Sequence, residues 1–263
     1  MPELDNKITL VDNYLFKNFN YDILTQINYK NKLAIIIEPR THYRLKPTIV
    51  NVMHFLGSGW DLLFIGNKIS INYLKLILPN LKCHIELISN KNLNPSEYSS
   101  ILMNKSLLNK YNYENLFVFQ TDSLLLRKFD KEILNHKYVG ATDFMMLGKN
   151  TTLRIYNGGI SFRKKSFMLY CLNNITPDII NTHRKQLNKD SIISNNYIED
   201  FYYSQCLSIV LNNCITDLPI NTQFGQNDRF INMDNIMTIH GYDKSTTRII
   251  SYNNLLEIFN NIM

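Results

Sequence analysis

No run of ~18 or more apolar residues occurs in this 263-residue sequence, so no transmembrane helix is expected. The first twenty residues interleave Glu3, Asp5, Asp12 and Lys17 with apolar positions, which is not the pattern of a secretory leader. Cysteine is scarce. Cys83, Cys171, Cys206 and Cys214 form no Cys-x-x-Cys and no Cys/His pair at zinc-ligand spacing, so four reduced thiols in a cytoplasmic protein are expected. Also missing are Gly-x-Gly-x-x-Gly and the Gly-x-x-x-x-Gly-Lys-[Ser/Thr] loop, which removes the main support for a Rossmann dinucleotide site or a P-loop. Charged residues make up 19% and form no dense basic stripe of the kind a nucleic-acid binder needs. The net charge of +6 is a mild field that favours small anionic ligands.

What is present is a core. A hydrophobic content of 45% excludes wholesale disorder, and the length suits one large domain or two small ones. Asn occurs 36 times, scattered along the chain, with Ile, Lys, Tyr and Phe also abundant. Scattering argues against an aggregating low-complexity tract and points instead to AT-rich codon usage.

In residues 1–31, Leu10, Leu15, Phe16 and Phe19 could pack on a surface, of this chain or of a second copy in a homodimer, but no helical period holds. From residue 33 onward the pattern is regular. Leu33-Ala-Ile-Ile-Ile37, Trp60-Asp-Leu-Leu-Phe-Ile65, Cys83 to Ile88 and Leu116-Phe-Val-Phe119 read as strands. Between them lie helical segments through Ile49, Val50, Met53 and Phe55, from Ile71 to Leu78, and from Pro95 through Leu108. Four alternations of apolar strand and helix predict βαβ units, hence a mostly parallel sheet with helices on its faces. Ligands in such sheets bind beyond the carboxyl ends of the strands. Two of those ends carry polar residues: Glu38-Pro39-Arg40 and Gln120-Thr121-Asp122-Ser123.

The second half is less regular. A short strand is expected at Tyr138-Val-Gly140, a polar loop over 143–156, a strand from Ile160 to Arg163, and a helix through Phe167, Met168 and Leu172. Asn157-Gly158-Gly159 precedes that strand, and a glycine pair permits close backbone approach. Glu199-Asp200 opens an aromatic helix, 219–229 reads as an irregular loop, and His240 ends a late apolar stretch. Each of these has an ordinary structural explanation. A carboxylate after a strand is commonly a helix cap, and acids at a helix start favour its dipole.

Taken in chain order, they resemble the nucleotide-sugar glycosyltransferases of the GT-A fold. Phe119-Gln120-Thr121-Asp122-Ser123 looks like the strand-end Asp-x-Asp of that fold. Tyr156-Asn157-Gly158-Gly159-Ile160-Ser161-Phe162-Arg163 is similar to its glycine loop, Ile198-Glu199-Asp200 to its acidic pair, and His240 to its late histidine. With Glu38-Pro39-Arg40 and Leu218-Pro219 the set resembles one glycosyltransferase-like family of giant viruses, fungi and bacteria. Such a source would suit the AT-rich composition and place the protein in host cytoplasm or in the virion.

The resemblance implies an α/β fold with one GT-A-type domain over 32–263, preceded by the extension 1–31. Residues 32–123 would be the nucleotide-binding half and 124–263 the acceptor side. It implies transfer of a sugar from a UDP- or GDP-linked donor to a glycan or protein hydroxyl. Asp122 and His240 would hold Mn²⁺ or Mg²⁺, the kind of hard cation that oxygen ligands and an imidazole accept. Gln120 stands where the first Asp of Asp-x-Asp usually is. Glu38, Pro39, Arg40, Gln120, Thr121, Asp122, Asn157, Gly158 and Gly159 would contact the donor, and Asp200 or Glu199 would be the base of an inverting displacement. The alternative is a structural or binding protein that keeps the fold without catalysis. A nucleotidyltransferase would carry a glycine-rich basic loop after the first strand, and Glu38-Pro39-Arg40-Thr41-His42 is not one.

Overall fold

The computed structural model describes residues 2–17, 31–89, 92–146, 152–186, 198–211 and 237–240, with single positions 253, 256 and 259. Its elements begin with helix α1 (Pro2–Lys17), followed by β1 (Lys32–Ile37), α2 (Leu45–Leu56), β2 (Asp61–Gly66), α3 (Lys68–Ile77) and β3 (His84–Leu87). Next come α4 (Pro95–Leu102), α5 (Lys105–Lys110), β4 (Asn115–Phe119) and β5 (Ser123–Leu125). The long strands β6 (Tyr138–Met146) and β7 (Thr152–Lys164) lead to α6 (Lys165–Asn174), α7 (Pro177–Gln186), α8 (Glu199–Val210) and β8 (Thr238–His240).

Continuous apolar runs make β1, β2 and β4, whose residues are almost all buried because helices cover both faces of a parallel sheet. Boundaries follow local chemistry. Gly57, at φ 75°, ends α2 in a conformation that favours glycine. Asn67 caps α3 by accepting from the amides of Ile69 and Ser70, and Asn94 with Glu97 forms a capping box on α4. Asn104 caps a separate α5, so the one helix expected over 95–108 is two.

The six-stranded sheet has the order β3-β2-β1-β4-β7-β6. It is mostly parallel and flanked by helices, the class expected: β3, β2, β1 and β4 run parallel, and β7 alone is antiparallel to its neighbours β4 and β6. The polar loop expected over 143–156 is largely strand instead, because β6 extends to Met146 and β7 starts at Thr152. Pairing with each other supplies their backbone hydrogen bonds without an apolar run to advertise them. Residues 1–31 also differ from expectation, since α1 is helical. Val11, Tyr14 and Leu15 are buried in the chain's own core, Tyr14 stacks on Phe259 at 4.3 Å, and Asp12 pairs with the buried Arg44 at 2.9 Å.

Cys83, Cys171 and Cys206 are free thiols. Among the described residues no helix is long and apolar enough to cross a membrane. Cys214, Leu218-Pro219 and the loop 219–229 lie outside the described residues.

Candidate functional site

A cleft of about 800 Å³ opens beyond the carboxyl ends of β1 and β4, within the range of roughly 300–1,000 Å³ usual for ligand pockets. Its walls bring together Glu38, Pro39 and Arg40; Gln120, Thr121 and Asp122; Asn157, Gly158 and Gly159; Glu199 and Asp200; and His240. Every candidate residue from the sequence therefore lines one cavity.

The Gln120–Ser123 corner is built from both sides. Ser123 N donates to the Gln120 carbonyl at 3.0 Å, and Gln120 N donates to Ser123 Oγ at 3.1 Å. From α2, Thr48 Oγ1 donates to the Thr121 carbonyl at 3.2 Å, while the buried Asn51 exchanges two hydrogen bonds with the Leu125 backbone. Asp122 is thus held on a fixed turn. The two-stranded ribbon β5–β8 then pairs Ser123 with His240, which puts His240 Nε2 at 3.3 Å from Asp122 Oδ1 and 3.1 Å from Gln120 Oε1.

Opposite stands a bulge in β7. Gly140 pairs with Ser161 and the next residue, Ala141, with Asn157, so Gly158, Gly159 and Ile160 have no partner on β6. Side chains satisfy the backbone of both glycines. Gly158 N donates to Asp200 Oδ2 at 3.0 Å and Gly159 N to Asn157 Oδ1 at 2.8 Å. The Gly158 carbonyl accepts from Ser161 Oγ and Arg163 Nη2, and the Gly159 carbonyl from Ser123 Oγ. The glycines are needed for close packing: a Cβ on Gly158 would meet Glu199 Oε1 at 2.3 Å, and one on Gly159 would meet His240 Nε2 at 2.0 Å. Both glycine amides are therefore already donated within the chain.

Glu199 and Asp200, the first two residues of α8, have different surroundings. Glu199 is buried; its Oε1 accepts from Arg163 Nη2 at 3.1 Å and its Oε2 from Ser99 Oγ at 2.8 Å. Asp200 accepts from the amides of Gly158 and Phe201. Burial, and then the Glu199 charge beside it, push the Asp200 carboxyl up to about 6 from an ordinary 3.8.

On the β1 side, Glu38 is buried and Arg40 half exposed. Arg40 Nε and Nη2 donate to the two Glu38 carboxylate oxygens at 2.8 and 2.9 Å, and the Arg40 amide also donates to Glu38 Oε1. Asn67 Nδ2 holds the Pro39 carbonyl at 2.8 Å.

Sequence reasoning missed Tyr98, His42, Ile198 and the 92–95 segment, which also line the cleft. The Tyr98 hydroxyl is buried close to Gln120, without reaching hydrogen-bonding geometry. It missed Arg163 as well, since an arginine followed by two lysines at a strand end reads as a solvated charge. Pairing with Leu116 on β4 and Tyr138 on β6 sets Arg163 in the middle of the sheet, where it is buried.

The Asp122–His240–Gln120 group supplies a carboxylate, an imidazole and an amide oxygen, a donor set that suits Mg²⁺ or Mn²⁺. No cluster of three His, Cys, Asp or Glu side chains at metal-ligand spacing occurs among the described residues. Protein donors at this spot would leave most of a six-coordinate shell to substrate and water.

The sequence profile of the family described as "Protein of unknown function (DUF5672)" matches residues 82–238. The chain belongs to that family. Gln120, Asp122, Gly158, Gly159, Glu199 and Asp200 fall inside the matched DUF5672 segment, while Glu38, Arg40 and His240 fall outside it. No curated protein sequence matches the chain significantly. Among solved structures, a nucleoside-diphosphate-sugar pyrophosphorylase from Vibrio cholerae RC9 superposes with a TM-score of 0.42 at 9% identity, over 68% of this chain and 88% of that one. That likeness is loose.

Proposed function

We propose that this DUF5672 protein is a glycosyltransferase of the GT-A type, moving a sugar from a UDP- or GDP-linked donor to a hydroxyl of a glycan or protein. Residues 32–263 would form the transferase domain, with 32–123 on the donor side and 124–263 on the acceptor side. The observation that carries the reading is the pairing of two unlike acidic centres in one cleft. Asp122 lies beside His240, and Asp200, raised to about 6, lines the same cleft.

Charge supports the donor class and the metal. Among the described residues lining the cleft, the Arg40 guanidinium is bound to Glu38, and Glu199 is neutralised by Arg163 behind it. Asp122 and Asp200 add two carboxylates to the walls that an incoming diphosphate would meet. A divalent cation held by Asp122 and His240, with Gln120 alongside, would offset that repulsion. A metal held there would supply Lewis acidity for the charge that develops on the diphosphate as its bond to the sugar breaks.

Asp200 serves as the general base. A carboxyl near 6 is mostly ionised at neutral pH yet far more basic than an ordinary aspartate, the compromise that general-base catalysis favours. The acceptor oxygen attacks the anomeric carbon and its proton passes to Asp200. The bond from that carbon to the diphosphate oxygen breaks on the opposite side, and the anomeric centre inverts. Glu199 does not serve as base because its carboxylate is held in an ion pair with the buried Arg163.

Titration calorimetry with UDP- and GDP-sugars, with and without Mn²⁺, tests the reading. Metal-dependent binding of one nucleotide class is expected, with transfer abolished in Asp200→Asn and donor binding retained. No nucleotide-sugar binding under any condition would sink it. Binding that leads to no transfer with any acceptor would instead support a protein that retains the fold as a binding module.

A further inference from the structure

We propose that Arg163 is a positioning residue for the cleft: it clamps Gly158 by its carbonyl and through that residue fixes Asp200. The side chain is fully enclosed. Its Nε donates to Ser161 Oγ at 2.9 Å, and its Nη2 donates to both Glu199 Oε1 at 3.1 Å and the Gly158 carbonyl at 3.2 Å. The rings of Tyr138 and Tyr203 lie 5.4 and 5.9 Å from its guanidinium carbon, so the group packs against two adjacent aromatic rings as well as being bonded. A planar fork with donors on several edges can hold two acceptors at once, which a single ammonium does less well.

The geometry explains why this clamp is needed. The bulge leaves Gly158 without a partner strand on the β6 side, and a glycine pair has no side chains of its own to fix it. Gly158 gives its carbonyl to Arg163 and, from the preceding peptide unit, its N–H to Asp200 Oδ2. Displacement of this one residue therefore moves the carboxylate's partner. Glu199 extends the clamp across the fold, because Ser99 on α4 donates to Glu199 Oε2 and accepts from the Glu199 amide. One guanidinium thereby ties β7, α8 and α4 together beneath the cleft.

The inference rests on the proposed role of Asp200, but the structural part has a readout that needs no activity. Amide hydrogen exchange at Gly158 is measured by NMR in the wild type, in Arg163→Lys, and in the double variant Arg163→Met with Glu199→Gln. The double variant removes both buried charges at similar volume, a change that buried ion pairs often tolerate. Gly158 exchange is expected to rise at least about tenfold in the double variant and less in Arg163→Lys, while the β4 amides keep their protection. In a transfer assay the double variant should lose turnover by about a hundredfold, as misplacement of a reacting group does, with the donor-induced thermal shift retained. Should the double variant not fold, Arg163→Lys carries the exchange test alone. Gly158 exchange within about threefold of wild type in the folded variants overturns the proposal. Absence of transfer in the wild type would sink the proposed function and leave the exchange result to decide the clamp.

Discussion

His240 Nε2 stands 3.3 Å from Asp122 Oδ1, held there by a ribbon of two three-residue strands and by a glycine whose missing Cβ leaves room for the imidazole. His240→Ala should weaken the metal-dependent part of donor binding by at least about tenfold, since disturbing even the outer partners of a metal ligand costs about 10–100-fold. Calorimetric titration of Mn²⁺ and of donor, each in the presence of the other, measures this. Equal donor affinity in the variant and the wild type would remove His240 from the site.

Gly159→Ala should mimic that loss without touching the histidine. Its Cβ would lie 2.0 Å from His240 Nε2, so the ring must swing away from Asp122. Metal-dependent binding should fall as in His240→Ala. The parallel half of the sheet should keep its circular dichroism.

Asp200→Asn should lower turnover by about 10²–10⁴-fold, the usual contribution of a general base. The same change should stabilise the protein at neutral pH. The folded carboxyl is raised from 3.8 to about 6, so the native state holds this proton more tightly than the unfolded chain. Its contribution to stability is full below the unfolded value and is lost as pH rises through the folded one. Above pH ~6 the wild type therefore carries a penalty of about 1–3 kcal/mol that the Asn variant lacks. Urea unfolding at pH 4 and pH 7.5 checks it: the variant should gain over the wild type at the higher pH and little at the lower.

The acid limb of the wild-type transfer rate should have its midpoint near the Asp200 value of about 6, with rate rising toward neutral pH as the base ionises. A rate that is flat between pH 5 and 8 would assign the base elsewhere.

Asn51→Ala should cost about 2–4 kcal/mol, because it orphans both the N–H and the carbonyl of Leu125 in the core. The lesion is next to the Asp122 turn but outside the cleft. Chemical denaturation at fixed pH gives the number, and a loss below about 0.5 kcal/mol would mean that β5 re-pairs on its own.

The first half of the fold was legible because β1, β2 and β4 are apolar runs bounded by Pro39, Gly57 and Gln120, each a strong local signal. The second half was not. Pairing between β6 and β7 holds a strand of 13 residues whose middle is Asn157-Gly158-Gly159, residues that locally favour a turn. Helix α1 was unreadable for a related reason: its apolar face is completed by Phe259, from the other end of the chain.

The site shows the same division. The residue types and their order were readable, as chemistry that needs carboxylates, glycines and an imidazole. How Glu199 and Asp200 differ was not, because neighbours on a helix point about 100° apart and only the buried Arg163 settles which one is held in an ion pair.

Three of the strand segments that serve the cleft stop there or arrive as short ribbons, but β7 passes through. Ile160 sits level with Phe119 at the end of β4, and β7 starts at Thr152, so the β6–β7 hairpin stands past the cleft by roughly 20 Å of backbone. Insertions or deletions at that far tip would leave the Gly158 bulge and its bonds in place. The height of that hairpin can thus change while the cleft residues keep their register.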